Sequence, residues 1–263
     1  MKKYLVIGNP IAHSLSPKLH NYWLKINKIS AFYEKKELDE NDLGGLIEDV
    51  KNNKINGINV TVPFKKKIIT HLDELSDEAN KTQSVNTIYT KGKKIIGHNT
   101  DIEGFELSLT NHNFDLKNKK ILILGAGGVV ASIIYALSKM QVSEIIISNR
   151  TKEKANNLKR LFQNITIIDW GLIPEFDLVI NATSVGLNKN DDLKLDFSKV
   201  HNKIFYDIIY NPSETNFLRS AKNSKNTIQN GKMMFIYQAF LAFKIWHNIE
   251  PQISDDVIKL LDQ

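Results

Sequence analysis

The chain has 263 residues, of which 42% are hydrophobic and 24% charged, and these values are typical of one large or two modest globular domains. It contains no cysteine, which excludes disulfides and thiolate chemistry, and it contains no run of about 18 apolar residues that could cross a membrane. The net charge is +6, and the lysines are scattered rather than interleaved with aromatic residues, so the composition favours anionic small molecules over nucleic acid.

The N-terminus begins with a short apolar run that predicts a strand rather than a secretion signal. The run ends at Gly8-Asn9-Pro10. It holds about four apolar residues, too few for the hydrophobic part of a signal peptide. The lack of cysteine fits a cytoplasmic protein, we expect no membrane or nucleic-acid partner, and we consider a homodimer as its assembly.

The first half of the chain alternates short apolar runs with helical patterns, which predicts a mostly parallel sheet. The predicted strands are 3–8, 32–36, 55–62, 84–89 and 95–96, and the predicted helices are 18–27, 41–51, 66–75 and 102–110. The polar stretch 111–120 is typical of a linker.

The second half repeats the alternation with longer apolar runs. Its predicted strands are 121–124, 144–148, 165–168, 178–181, 204–209 and 227–229. Its predicted helices are 129–140, 151–162, one that starts at 212 or 213 and ends near 223, 231–248 and 254–261. We predict an α/β fold with a first domain at 1–101, a nucleotide-binding domain at 102–235 and C-terminal helices at 236–263 that pack back on the first domain.

A glycine turn lies between the first strand and the first helix of the second half. Strand 121–124 leads into Gly125-Ala126-Gly127-Gly128, and a buried helix and a second strand follow. Glycines permit a tight turn and close backbone approach, and a helix N-terminus attracts phosphate, so this unit predicts a dinucleotide site of the Rossmann type. The alternative is an α/β turn that binds nothing. Val130 stands where the motif usually has Gly or Ala, which predicts a slightly wider spacing between helix and strand.

The end of the second strand favours NADP over NAD. An NAD site usually has Asp or Glu there for the adenosine ribose, whereas this chain has Asn149-Arg150-Thr151 and then Lys154. A guanidinium can pair with a 2′-phosphate, and no carboxylate is present to repel it. The alternative is that Arg150 and Lys154 are ordinary solvated charges at a helix start.

Polar residues lie at or just after the ends of two predicted strands in the first half. Asn59, Thr61 and Lys65 come at the end of one strand, and Asp101 comes at the end of another, where the side chains of a parallel sheet face a ligand crevice. Locally, Lys65 also fits a solvated lysine run, and Asp101 also fits a helix N-cap.

Two serines precede the first predicted helix. With Pro17 in the first turn, Ser16 fits an N-cap, whereas Ser14 has no such local role. Two hydroxyls beside a helix N-terminus would suit a carboxylate group of a ligand.

Nine separated motifs together resemble the shikimate dehydrogenase family. They occur in the family's order and cover nearly the whole chain: 9–17 (NPIAHSLSP), 59–65 (NVTVPFK), 84–87 (SVNT), 99–101 (NTD), 125–128 (GAGG), 149–151 (NRT), 181–186 (NATSVG), 207–215 (DIIYNPSET) and 231–238 (GKMMFIYQ). The chain departs from the family pattern at Val129-Val130, at Ile102 and near Met233-Met234.

The resemblance implies two α/β domains: an N-terminal mixed-sheet substrate domain and a C-terminal Rossmann-type NADP domain, with the active site in the cleft between them. It implies substrate contacts from Ser14, Ser16, Thr61, Lys65, Asn86, Asp101, Tyr210 and Gln238. It implies cofactor contacts from Asp77, Gly125, Ala126, Gly127, Gly128, Val129, Asn149, Arg150, Thr151, Lys154, Thr183, Ile208 and Gly231.

The implied reaction is the NADP-linked interconversion of shikimate and 3-dehydroshikimate in aromatic amino-acid biosynthesis, without a metal. Hydride can leave C3 only if the hydroxyl proton is removed or strongly shared, and we predict Lys65 as the acid/base with Asp101 as its partner. Two alternatives are an NAD-preferring quinate/shikimate dehydrogenase and a non-catalytic NADP-binding module. Asn149-Arg150-Thr151 argues against the first, and the presence of both Lys65 and Asp101 argues against the second.

Overall fold

Two six-stranded sheets organise the part of the chain that the structure, a computed structural model, describes, namely residues 1–188 and 190–262. One sheet belongs to a unit formed by Met1–Gly104 and Ile236–Gln263, and the other belongs to a unit formed by Phe105–Phe235. The predicted two-domain α/β class is confirmed. None of the helices in the described ranges is long and apolar enough to cross a membrane.

The first unit contains a mixed sheet. Its strands are β1 Lys2–Gly8, β2 Ala31–Glu37, β3 Gly57–Val60, β4 Glu74–Leu75, β5 Thr87–Lys91 and β6 Lys94–His98. Its helices are α1 Ser16–Ile26, α2 Leu43–Lys51 and α3 Asp77–Thr82, followed by α4 Asp101–Thr110, which carries the chain into the second unit. The strand order is β2-β1-β3-β5-β6-β4, with β5 antiparallel to β3 and β6 and the other pairs parallel.

The second unit contains a fully parallel sheet. Its strands are β7 Lys120–Leu124, β8 Glu144–Ser148, β9 Ile165–Ile168, β10 Leu178–Asn181, β11 Ile204–Asp207 and β12 Thr227–Gln229. Its helices are α5 Val130–Lys139, α6 Lys152–Leu161 and α7 Asn216–Asn223; α8 Lys232–His247 returns the chain to the first unit, where α9 Asp255–Leu260 follows. The strand order is β12-β11-β10-β7-β8-β9.

This strand order places a switch point at the carboxyl end of β7. The chain continues from β7 to β8 on one side, while β10 lies on the other side. Open parallel sheets bind ligands outside the carboxyl ends of their strands at such a point. The loops after β7, β8, β10 and β11 therefore share the ligand-binding edge of this sheet.

Each unit has its own apolar core, as its buried strands require. In the first unit, fully buried aliphatic residues of β1, β3 and α2 pack with Phe64 and Ile68. The last turns of α8 complete this unit, because Trp246 lies against the backbone of Gly57, where an added Cβ would come within 2.4 Å of the indole. In the second unit, β7 and β10 pack with Phe205 of β11 and with further aromatic residues that include Phe197.

Four sequence predictions need correction. The helix predicted at 66–75 is a 3₁₀ helix at Lys67–His71 followed by β4, because the β-branched run Ile68-Ile69-Thr70 is a poor α-helix former and the backbone of Asp73 pairs with Ile95. The strand predicted to begin at residue 84 begins at Thr87, and α3 was not predicted.

The fourth correction concerns the start of α7, which was predicted at residue 212 or 213. The helix begins at Asn216, because the Thr215 hydroxyl accepts a hydrogen bond from the backbone N–H of Leu218 and so caps the helix.

Candidate active site

Lys65 and Asp101 form a largely shielded ion pair in the first unit. Lys65 follows β3 and the Val62–Pro63 turn, and Asp101 is the first residue of α4. The Lys65 Nζ and Asp101 Oδ2 atoms are 2.5 Å apart, and the two side chains are only 13% and 8% exposed. A charge-assisted hydrogen bond in so shielded a place is strong and holds both groups in one geometry.

The second carboxylate oxygen of Asp101 is also held. The Asn86 side chain donates to Asp101 Oδ1 at 2.9 Å and to Thr100 Oγ1 at 2.9 Å, and its own oxygen accepts from the backbone N–H of Thr100 at 2.8 Å. The backbone N–H of Asp101 donates to Asn99 Oδ1 at 3.1 Å. The structure thus brings together three predicted residues, Lys65, Asn86 and Asp101, from three separate segments of the chain.

Ser14 and Ser16 lie at the start of α1, with roles that differ from the local prediction. The N-cap of α1 is Leu15, and the backbone N–H of Ser16 donates to the Ser14 hydroxyl at 3.3 Å. Ser14 therefore has a local structural contact after all, and Ser16 is not the cap. The Ser16 hydroxyl is buried and hydrogen-bonds to the phenol of Tyr33, while burial raises the Tyr33 pKa.

The three remaining predicted residues of the first unit lie on or beside three different elements. The backbone N–H of Thr61 donates to the carbonyl of Ile7 at 2.9 Å just after β3. Gln238 is half-buried on α8. There α8 packs so closely on α4 that a Cβ added to Gly104 would lie 2.9 Å from the backbone nitrogen of Gln238. Asp77 is exposed in the first turn of α3.

The glycine turn of the second unit presents bare backbone. Gly125 has φ +113°, and an added Cβ would lie 2.9 Å from the Ala182 carbonyl oxygen, so glycine is required there. Gly127 and Gly128 are exposed, and an added Cβ would meet no atom closer than 3.8 Å at Gly127 and none within 4 Å at Gly128. This open backbone at the start of α5 has the donor chemistry and the space that a pyrophosphate needs.

The rest of the turn leads directly into α5. Ala126 and Val129 are half-buried, whereas Val130, the first residue of α5, is fully buried. The bulk at this motif position is therefore accommodated in the core of the second unit.

The residues after β8 carry positive charge at the same sheet edge. Arg150, Thr151 and Lys154 are exposed, and the Asn149 side chain donates to the Thr151 carbonyl at 2.7 Å. Arg150 forms no salt bridge with any carboxylate in the described ranges. The guanidinium is therefore available to an anionic ligand such as a 2′-phosphate.

The loops after β10 and β11 hold the other predicted cofactor residues. Thr183 donates through its backbone and its hydroxyl to Asn181 Oδ1, at 3.1 and 2.7 Å. The backbone N–H of Ile208 donates to the Asn181 carbonyl at 3.0 Å, and Gly231 packs on Ile208 so tightly that an added Cβ would lie 2.0 Å from its carbonyl oxygen.

Tyr210, a predicted substrate residue, also lies in the second unit. Its ring stacks on Phe235 with 4.5 Å between centroids, and burial raises the Tyr210 pKa to about 12. The phenol is therefore a neutral hydrogen-bond donor near neutral pH.

Two sets of buried polar residues were missed by sequence reasoning, apart from Asn59, which was predicted to face a ligand crevice. In the first unit, Tyr33 donates to Asn59 Oδ1 at 2.7 Å, and Asn59 donates to the Thr87 hydroxyl at 3.1 Å. In the second unit, Asp207 accepts from Asn181 and Thr215. A polar residue at the end of an apolar strand was the available signal, but its partners come from distant parts of the chain.

The second unit has a Rossmann-type sheet with an open glycine turn, and the first unit has a shielded lysine–aspartate pair. These features define the class of two-domain, dinucleotide-dependent oxidoreductases. Family models agree in both halves of the chain. The model described as the shikimate dehydrogenase substrate binding domain matches residues 6–88, and the model described as shikimate / quinate 5-dehydrogenase matches residues 107–208.

Individual relatives lead to the same family. The chain is 58% identical to the shikimate dehydrogenase (NADP(+)) of Pelagibacter ubique, with 99% of each chain covered. The crystal structure of shikimate dehydrogenase from Aquifex aeolicus has a TM-score of 0.90 at 36% identity, covering 99% of this chain and 97% of that one. The Thermus thermophilus enzyme in complex with NADP(H) and shikimate has a TM-score of 0.90 at 31% identity, covering 99% and 98%. The chain belongs to the shikimate dehydrogenase family.

Proposed function

We propose that this protein catalyses the reversible NADP-linked reduction of 3-dehydroshikimate to shikimate. The observation that carries the proposal is the shielded Lys65–Asp101 pair, whose carboxylate is also hydrogen-bonded by Asn86. Family membership supports it, because the relative that is 58% identical is named a shikimate dehydrogenase (NADP(+)).

The residues of the second unit fit NADP. Exposed Gly127 and Gly128 leave room for the pyrophosphate at the start of α5, and exposed Arg150 can pair with the 2′-phosphate. The backbone at Thr183, Ile208 and Gly231 would border the nicotinamide half. When bound, NADPH supplies the hydride that reduces the C3 carbonyl.

Lys65 performs the proton transfer in this proposal. Its ammonium donates a proton to the C3 oxygen as the carbonyl becomes a hydroxyl, and in the oxidation direction the amine accepts that proton again. Asp101 keeps one oxygen on Nζ and the other on Asn86, so the lysine stays in one position throughout.

The substrate contacts are also proposals. Ser14, Ser16 and Tyr210 would bind the substrate carboxylate, and Thr61, Asn86 and Gln238 would bind ring hydroxyls. The buried position of Ser16 and the neutral phenol of Tyr210 support these roles, since each offers a hydrogen-bonding hydroxyl without a competing charge.

A spectrophotometric assay tests the function directly. Cofactor reduction is followed with shikimate or quinate as substrate and with NADP or NAD as cofactor. We expect the highest kcat/KM with shikimate and NADP. A preference for NAD or quinate would favour the quinate/shikimate alternative. Binding of NADP without turnover of either substrate would favour a non-catalytic module.

We further propose a cytoplasmic location for the enzyme, which the absence of cysteines from the sequence supports. The homodimer stays a prediction, and light scattering of the purified protein measures it.

A further inference from the structure

Asp207 is a buried carboxylate at the carboxyl end of β11, on the ligand-binding edge of the parallel sheet. It is 0% exposed, and none of the salt bridges formed within the described residues includes it. A carboxylate placed in an apolar interior without a cation is unfavourable unless other groups stabilise it. Hydrogen bonds stabilise the Asp207 carboxylate in this buried position.

Three donors converge on this carboxylate from three parts of the second unit. The Thr215 hydroxyl donates at 2.7 Å, the backbone N–H of Ile209 donates at 3.0 Å, and the Asn181 amide donates to both oxygens at 3.2 and 3.1 Å. An ionised carboxylate only accepts hydrogen bonds, so all of these donors are oriented by one group.

The interactions continue into the loop after β10. The Asn181 oxygen accepts from the backbone N–H and the hydroxyl of Thr183, and the Thr183 hydroxyl in turn accepts from the backbone N–H of Val185 at 3.0 Å. The Asn181 amide also donates to the Val185 carbonyl at 3.0 Å. Asp207 thus hydrogen-bonds to Asn181, and Asn181 hydrogen-bonds to Thr183 and Val185 of loop 181–186.

Loop 181–186 and the backbone after β11 lie at one half of the ligand-binding edge, and Arg150 lies at the other half. Arg150 follows β8, on one side of β7, whereas Asn181 and Asp207 end β10 and β11 on the other side. A dinucleotide whose pyrophosphate lies on the turn after β7 extends its adenosine half toward β8, and its nicotinamide half therefore lies over β10 and β11.

We propose that Asp207 is a positioning residue for the nicotinamide half of the cofactor, because its carboxylate holds loop 181–186 and the Ile208–Ile209 backbone in one arrangement. The inference rests on the proposed NADP-dependent function. Burial raises the Asp207 pKa to about 6, and the hydrogen bonds from Ile209, Thr215 and Asn181 oppose this shift. The carboxylate is therefore an anionic acceptor at pH 7.5.

Two probes separate the two halves of the cofactor site. NADP+ contains both halves, whereas adenosine 2′,5′-bisphosphate has the adenosine half with its 2′-phosphate and no nicotinamide. Dissociation constants are measured by isothermal titration calorimetry at pH 7.5 on the full chain. We expect Asp207→Asn to raise the Kd of NADP+ by about fivefold or more, as expected for the loss of about one net hydrogen bond, and to change the Kd of the bisphosphate by less than about twofold.

Arg150→Ala is the matched control, since it should weaken both probes. If Asp207→Asn weakens both probes equally, or weakens neither, the inference is overturned. If the unmodified protein binds neither probe, the proposed function itself fails, which is a distinguishable result.

A second pair of variants applies if Asp207→Asn does not fold. Thr215→Val removes the 2.7 Å hydrogen bond to Asp207 together with the hydroxyl that caps α7, and it leaves the carboxylate in place, whereas Thr215→Ser keeps the hydroxyl that makes both bonds. The inference requires weaker NADP+ binding with unchanged bisphosphate binding in Thr215→Val, and neither effect in Thr215→Ser. Equal affinities of the two Thr215 variants for NADP+ would overturn it.

Discussion

The two units build their candidate sites from different materials. In the first unit the site consists of side chains: Asp101 and Asn86 are buried, Lys65 is half-buried, and both Lys65 and Asn86 hydrogen-bond to Asp101. In the second unit the turn after β7 offers exposed backbone at Gly127 and Gly128, with space beside both residues. A side-chain site depends on particular functional groups, whereas a backbone site depends on the absence of Cβ atoms. Substitutions should therefore damage the two units in different ways.

The largest expected effect is the loss of the lysine in the side-chain site. Lys65→Met keeps an unbranched apolar stem and removes the ammonium. We expect kcat to fall by roughly 10²- to 10⁴-fold, as for other positioned acid/base groups, with a much smaller change in KM. Steady-state kinetics with shikimate and NADP measure it.

The neighbouring lysine is the control for this substitution. Lys66 is exposed, so Lys66→Met should leave kcat within about twofold. A fall of less than about tenfold in Lys65→Met, with KM unchanged, would show that another group transfers the proton.

The second prediction concerns the stability of the first unit, which contains a buried histidine. His20 is 1% exposed and stacks on Tyr33 with 4.2 Å between ring centroids. Burial, and to a lesser degree the charge of His247, lowers the His20 pKa to about 3. Between about pH 3 and 6.5 the unfolded chain binds a proton that the folded chain does not. This histidine therefore reduces stability as the pH falls below 6.5 and has no such effect above it.

The expected slope for His20 is about 1.4 kcal/mol of unfolding free energy per pH unit. Urea unfolding at pH 5.0, 6.0, 7.0 and 8.0 measures it, with His20→Phe as the comparison. The two proteins should differ in slope below pH 6.5 and run parallel above it. Identical slopes at all four pH values would mean that His20 takes up its proton in the folded state as well.

The third prediction separates two roles of glycine in the backbone site. Gly125→Ala should lower the free energy of unfolding by about 1–3 kcal/mol, because alanine is strained at φ +113° and its Cβ would meet the Ala182 carbonyl. Gly128→Ala should leave stability within about 0.5 kcal/mol, because nothing lies within 4 Å of its Cβ. Thermal unfolding without ligand measures both.

Cofactor binding completes that test. The methyl group in Gly128→Ala should nevertheless weaken NADP+ binding, since it occupies the space proposed for the pyrophosphate. If Gly128→Ala binds NADP+ as tightly as the unmodified protein, the close approach of phosphate to this backbone is wrong.

The smallest expected effect concerns Arg150, the side chain proposed to distinguish NADP from NAD. Arg150→Ala should raise the Kd of NADP+ by about tenfold and leave that of NAD+ unchanged, because only NADP+ has the 2′-phosphate. Arg150 is exposed, so the difference should shrink as salt is added. Arg160→Ala, at the other end of α6, is the control and should change neither value.

Elements with strong local signals could be predicted from the sequence. Strands β8, β9, β10 and β12 have their predicted bounds, because apolar β-branched runs between polar turns are a local pattern. The family, the two-domain class and the NADP cofactor were predicted correctly. Predictions failed where tertiary contacts outweigh local preference, as at 66–75, where pairing of Asp73 with Ile95 replaces the expected helix.

The sequence by itself determined the α/β pattern, the glycine turn and the residue types of the candidate site, because each of these depends on neighbours within a few positions. Only the tertiary structure decided which side chains meet. Lys65 and Asp101 are 36 positions apart, and Asp207 is 26 positions from Asn181. Their pairing depends on the order of strands in each sheet and on burial. A buried polar group without a hydrogen-bond partner is unfavourable, so burial selects one set of partners. No local pattern encodes that selection.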